Sequence, residues 1–234
     1  MMLLASVLSL CLGLSLAQTP TTPNPNCDQA RYLPCVLSVE VAGSTPLFRA
    51  IERVMANSSE EIGADWTDEN YRDLASRMNH TRIQCPSSVV YPCFDIPERA
   101  LMTRAMGHFG TILTDPRLNA TNVKKLVDCN QRKEWMVILG EQMFSVIYAE
   151  GLFRPNTMVL NDANFQNLEC RIYNQFTAKV SADSIGTACG EGEKKTFSDF
   201  VSTLGNSYQC TSGATAVKIT VLAFVIAFIG LVSF

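Results

Sequence analysis

Between Cys27 and Cys210 the apolar residues of this chain recur every three or four positions almost without interruption. That period restricts the fold more than any other feature, because it places apolar side chains on one face of a helix and leaves each face in need of a cover. Thr45 followed by Pro46 reads as an N-cap and a first-turn proline, with Leu47, Ala50, Ile51 and Val54 as the stripe behind it. Thr67 caps a second helix, whose stripe is Tyr71, Leu74, Ala75 and Met78. Asp68 and Glu69 occupy its first turn, at the positive end of the helix dipole. Pro97 opens a third, with Met102, Ala105, Met106, Phe109 and Leu113 on one side. The fourth runs roughly from Asn122 to Ala149, with Asn130 as the candidate break. From Trp135 to Ile147 its apolar residues cover more than one face, which predicts a central helix. Asp162 starts another, striped by Phe165, Leu168, Ile172, Phe176 and Val180. A last helix carries Phe197, Phe200, Val201 and Leu204, with Gly205 as its C′ stop. Only Val36–Val41 and Ser88–Tyr91 look like strands. The expected fold is therefore all-α: a single disulfide-pinned domain of about six helices over residues 27–210.

The two ends differ from this middle. Met1 to Ala17 is apolar and closes on Ser15-Leu16-Ala17, with small residues where a signal peptidase reads, so 1–17 is expected to be a signal peptide. Residues 18–26, rich in Thr and Pro, have nothing to bury and are read as a disordered arm. At the other end Ser212-Gly213-Ala214 is followed by a short spacer holding Lys218 and then by the uncharged run Ile219 to Phe234. Small residues, spacer and apolar tail are the layout of a GPI-attachment signal over 211–234, with Ser212 as the attachment residue. A transmembrane helix would have to accommodate Lys218 and usually has cations on its cytoplasmic side, where none follow here.

Of nine cysteines, Cys11 falls in the signal, leaving Cys27, Cys35, Cys85, Cys93, Cys129, Cys170, Cys189 and Cys210. An even number in an exported chain predicts four disulfides, with connectivity open among 105 pairings. Cys27 and Cys35 are not expected to bridge each other if they share a helix, since eight residues of helix rise about 12 Å. Cys27 to Cys35 and Cys85 to Cys93 have the same spacing, with Pro34 and Pro92 each just before the second cysteine. The match is either an internal repeat or coincidence. Sequons at Asn57, Asn79 and Asn119, read at helix ends or loops, predict N-glycosylation.

The search for chemistry returns little. The trimmed ends carry one charge, Lys218, so 19 basic residues become 18 against 22 acidic, a net of −4. That mild acidity argues against nucleic-acid binding. No nucleophile elbow, zinc-protease motif, dinucleotide fingerprint or phosphate loop occurs, so no cofactor and no catalytic residue is expected. His80 lies within a sequon, and His108 sits at the edge of an apolar face as a hydrogen-bonded boundary residue. Glu60, Glu61, Asp65, Asp68 and Glu69 lack the order of a calcium loop and read as a solvated stretch. Gly190-Glu191-Gly192-Glu193 reads as a turn rather than a phosphate cradle.

In general type the chain resembles the GDNF-receptor-alpha class of GPI-anchored co-receptors, which are helical, disulfide-pinned and glycosylated. Those domains carry adjacent cysteine pairs, and none occurs here, so no residue is carried over. The expectation is a non-enzymatic extracellular glycoprotein, GPI-anchored to the outer leaflet of the plasma membrane. It would act as a surface binding protein for an extracellular protein or a transmembrane co-receptor. The alternative is a secreted or tethered carrier of a small apolar ligand, because the many Met and Phe residues suit an adaptable cavity.

Overall fold

The computed structural model describes residues 26–56, 63–155 and 157–210. The signal segment, nearly all of the Thr/Pro arm, Asn57 and the tail with Ser212 lie outside them. Among the described residues there are ten helices, one further helical turn at Asn130–Lys133, a 3₁₀ turn at Gly63–Asp65, and no strand. The helices are α1 (Gln29–Gly43), α2 (Pro46–Ala56), α3 (Asp68–Gln84), α4 (Ser87–Cys93) and α5 (Pro97–Leu113). They continue as α6 (Ala120–Asp128), α7 (Trp135–Ala149), α8 (Asp162–Lys179), α9 (Ala182–Cys189) and α10 (Glu191–Ser207).

Several sequence signals act as read. Thr67 accepts from Asn70 N at 3.0 Å to cap α3, and Tyr71, Leu74, Ala75 and Met78 are buried. Thr45 accepts from Phe48 N at 3.3 Å ahead of α2, where Leu47, Ala50 and Val54 are buried. Pro97 opens α5 and Asp162 opens α8.

Some readings need correction. The helices among the described residues number ten rather than about six, because short or proline-containing helices such as α1, α4 and α9 give no clear helical signal of their own in the sequence. Val36–Val41 is not strand-like but the middle of α1, and Ser88–Tyr91 lies in α4. As a helix, α1 turns Cys35, Val36, Val39 and Ala42 to the core together; a strand would split them between two faces. Pro34 and Pro92 sit inside these helices. The fourth helix breaks at Cys129, beside the expected Asn130, and again at Glu134, whose φ of 52° is left-handed, so it becomes α6, a single turn and α7. Gly205 does not stop the last helix, which runs on to Ser207. Its lack of a side chain instead lets Tyr173 approach, since a Cβ there would meet the Tyr173 ring at 2.9 Å.

The four disulfides are Cys27–Cys93, Cys35–Cys85, Cys129–Cys189 and Cys170–Cys210. The first two are nested, and their cysteines are equally spaced on antiparallel segments. The matched spacing seen in the sequence is thus a two-rung ladder clamping α1 against the α3–α4 corner. Cys27 and Cys35 do not pair with each other. The last two bridges tie the turn after α6 to the end of α9, and α8 to the end of α10. No bridge joins the 27–93 half to the 129–210 half.

Helix α5 connects those halves. It packs along α3 on one side and against α10 on another. At the α3 seam the backbones nearly touch: a Cβ on Gly110 would lie 2.6 Å from Asn79 N. Tyr71 Oη lies 3.1 Å from the carbonyls of both Leu113 and Leu118, fixing the α5–α6 connection from α3. Helix α7 buries Trp135, Met136, Leu139, Met143, Val146 and Ile147. Ile138 and Phe144 on the same helix are only half-buried, so its cover is less complete than a fully central helix would have.

Candidate functional site

Three features could carry function. The first is a polar cluster at the meeting of α4, α5, α8 and α10. Arg104 and His108, one turn apart on α5, face Glu169 of α8. Arg104 Nε and Nη2 donate to Glu169 Oε1 and Oε2 at 2.9 and 3.0 Å, a forked pair. His108 Nε2 lies 3.2 Å from Glu169 Oε1, and its Nδ1 lies 2.5 Å from Ser207 Oγ. Arg104 Nη1 also donates to Tyr91 Oη at 2.8 Å, and Tyr91 donates to Asp162 at 2.5 Å. The guanidinium stands 5.4 Å over the Phe165 ring, on which Tyr91 stacks.

The charges in this cluster are balanced. Only 2% of the Glu169 side chain is exposed. Burial alone would raise its pKa, but bonds and charge from His108 and Arg104 outweigh burial and hold the carboxyl below its ordinary value. Burial acts to lower the Arg104 pKa, and Glu169 more than restores it. Burial, then the hydrogen bond to Asp162, pushes the Tyr91 phenol up to about 12. Tyr208, edge-on to the His108 ring, is fully covered, and burial pushes its phenol far up.

Ser207, His108 and Glu169 form a chain of contacts that resembles a hydrolase relay in order only. Both Glu169 oxygens are held by the Arg104 fork, which draws off the negative charge a relay would use on the histidine. Ser207 is the last residue of α10, at the negative end of the helix dipole, where a developing alkoxide is disfavoured. The arrangement is a clamp between α5 and the C-terminal helices. His108 is therefore the hydrogen-bonded boundary residue read from sequence. Its partner Glu169 lies 61 residues away in sequence, beyond the reach of any local signal.

The second feature is an apolar cavity of about 100 Å³ between α2, α3, α5, α6, α7 and α10. Its walls include Trp66, Leu74, Met78, Leu126, Trp135, Met136 and Phe200, and no polar surface lines it. Phe48 and Ile51 of α2 and Phe109 and Leu113 of α5 also line it and are half-buried. The cavity therefore approaches the surface between α2 and α5.

The third is a row of exposed apolar side chains on α1: Leu33 at 59%, Leu37 at 49% and Val41 at 42% exposure. They sit four residues apart and form one stripe on the outer face. Ile83, at the end of the neighbouring α3, is 60% exposed.

Among the remaining sequence candidates, Asn119 is exposed and caps α6 by accepting from Asn122 N at 2.9 Å. Asn79 is half-buried inside α3, not at a helix end or in a loop. Asp65 bonds Arg53, and Asp68 and Glu69 form the first turn of α3. Among the described residues no three His, Cys, Asp or Glu side chains are grouped to hold a metal ion. Gly190, with φ of 124°, ends α9 and begins α10, so the glycine-rich run is a hinge passing directly into a helix. Among the described residues no helix is long and apolar enough to cross a membrane. No protein-family model, curated protein or solved structure matches the chain. Over the described residues the chain is all-helical and carries four disulfides.

Proposed function

We propose that this chain is an exported glycoprotein, GPI-anchored at Ser212 on the outer leaflet, that works as a surface binding protein rather than a catalyst. The supporting observation is the apolar row Leu33, Leu37 and Val41 on α1. The helix carrying it is stapled by Cys27–Cys93 and Cys35–Cys85, so the row is presented on a rigid rod. Docking such a rod costs little ordering entropy, and side chains at this spacing fit an apolar groove or helix face of an extracellular protein. A lipid-anchored protein has no cytoplasmic part, so a co-receptor with a membrane span is the partner class that would transmit a signal.

Two measurements test this reading. Phospholipase C should release the protein from intact cells; retention on the cell would refute the anchor. A photo-crosslinking residue at Leu37 should give a defined adduct with a cell-surface protein. A companion Leu33→Glu exchange should abolish that adduct while the melting temperature holds. Equal adducts from the exposed Arg132 position would refute the α1 surface.

A further inference from the structure

We propose that the interior apolar cavity is a binding site for a compact, uncharged molecule without hydrogen-bonding groups, with a single aromatic ring as the best fit. This goes beyond partner binding by α1, since no α1 residue lines the cavity.

Volume sets the size. The cavity is about 100 Å³, and an apolar cavity of roughly 150 Å³ stays dry and takes benzene or xenon. A long acyl chain or a sterol does not fit within that space. The walls set the polarity. The only polar atoms belonging to the lining side chains are the two indole nitrogens, and both are already committed. Trp66 Nε1 donates to Ala120 O at 3.0 Å, and Trp135 Nε1 donates to Leu126 O at 2.8 Å. A water molecule needs two to four polar partners and finds none here. A ligand hydroxyl or amide would leave its hydrogen bonds in bulk water and regain none inside.

The surfaces also favour an aromatic guest. Trp66, Trp135, Phe109 and Phe200 offer ring faces and edges. Met78 and Met136 supply polarizable sulfur on flexible side chains, which adjust to a ring and make favourable sulfur–aromatic contacts. Entry is between α2 and α5, where Phe48, Ile51, Phe109 and Leu113 are the lining residues that solvent reaches.

The molecule carries its own reporter, because Trp66 and Trp135 are its two tryptophans and both line the cavity. Benzene titrated into the mature, oxidised glycoprotein should change the tryptophan emission saturably, with half-saturation below about 1 mM, and should raise the melting temperature. Phenol, with the same ring and one hydroxyl, should raise the melting temperature only at concentrations at least about tenfold higher. Val127→Phe fills the space and should remove the benzene response; Leu113→Phe does so from the half-buried rim if Val127→Phe fails to fold. Xenon under pressure in a crystal locates the site without any variant and should appear in the space that Trp66 and Trp135 line. A benzene response that is absent, that does not saturate, that survives in a folded filled variant, or that phenol equals would overturn the proposal. So would xenon found only elsewhere.

Discussion

Replacing Gly110 by alanine should destabilise this protein, although alanine is much the better helix former. In an exposed helix the exchange favours alanine by about 1 kcal/mol. In the fold, a Cβ at position 110 would stand 2.6 Å from Asn79 N and from the Met78 carbonyl carbon, and 2.9 Å from Met78 O. All three are backbone atoms of α3, so no change of rotamer relieves the contact. Carbon atoms rest at roughly 3.5–4.0 Å, so the two helices must part by about 1 Å along their seam. Overpacking of this sort costs about 1–3 kcal/mol, and a clash with backbone belongs at the upper end. After the propensity gain, the net loss is about 2 kcal/mol. For a domain of this size that lowers the melting temperature by about 4–8 °C. Gly107→Ala is the internal control. It has the same propensity gain, but its nearest neighbour is Arg82 Cβ at 3.3 Å, which a shift of a few tenths of an ångström relieves. Its net change should stay within about 1 kcal/mol. The assay is thermal unfolding of the oxidised protein by far-UV circular dichroism, repeated at two scan rates to expose irreversibility. A Gly110→Ala melting temperature at or above the parent's would refute the close approach of α3 and α5. A Gly107→Ala loss equal to that of Gly110→Ala would do the same.

Glu169→Ala should cost about 3 kcal/mol in denaturant unfolding, the low end for breaking a buried pair, because Arg104 keeps only Asp162, an exposed carboxylate 3.1 Å from its Nη1, as a counter-charge. Since the folded Glu169 carboxyl titrates below its ordinary value of 4.5, its stabilisation is complete above that pH. The stabilisation is lost as pH falls through the depressed folded value, so Glu169→Gln should flatten the acid limb of a stability–pH profile. The limb should not vanish, because Asp115 and Asp162 are also held low, first of all by bonds from Arg117 and from Tyr91 respectively. Removing the inner rung with Cys35→Ala and Cys85→Ala should cost about 3 kcal/mol, the value for a short loop rather than for the 50-residue separation. The outer Cys27–Cys93 bridge already closes most of that loop, and unchanged chemical denaturation would refute the ladder. At Asn119, Thr121→Ala should remove a glycan by mass spectrometry and leave stability near the parent's. Asn119→Ala should remove the glycan and also the α6 cap, for about 1 kcal/mol more.

The sequence by itself determined the fold class, the boundaries of the helices with strong caps, and the presence of a covalent framework. Thr67, Pro97 and Asp162 mark helix starts through local backbone chemistry, which needs no knowledge of the rest of the chain. The tertiary structure decided what local signals left undetermined. Val36–Val41 has β-branched residues and a nearby proline, yet it is helical because only a helix buries Cys35, Val39 and Ala42 together while both disulfides close. Gly205 resembles a helix stop but serves the approach of Tyr173, a residue 32 positions away in sequence. The forked pair of Arg104 with Glu169 and the cavity lined by both tryptophans are likewise products of long-range packing. Capping and periodicity act over a few residues and can be read along a chain, whereas charge pairing and enclosed space depend on which helix faces meet.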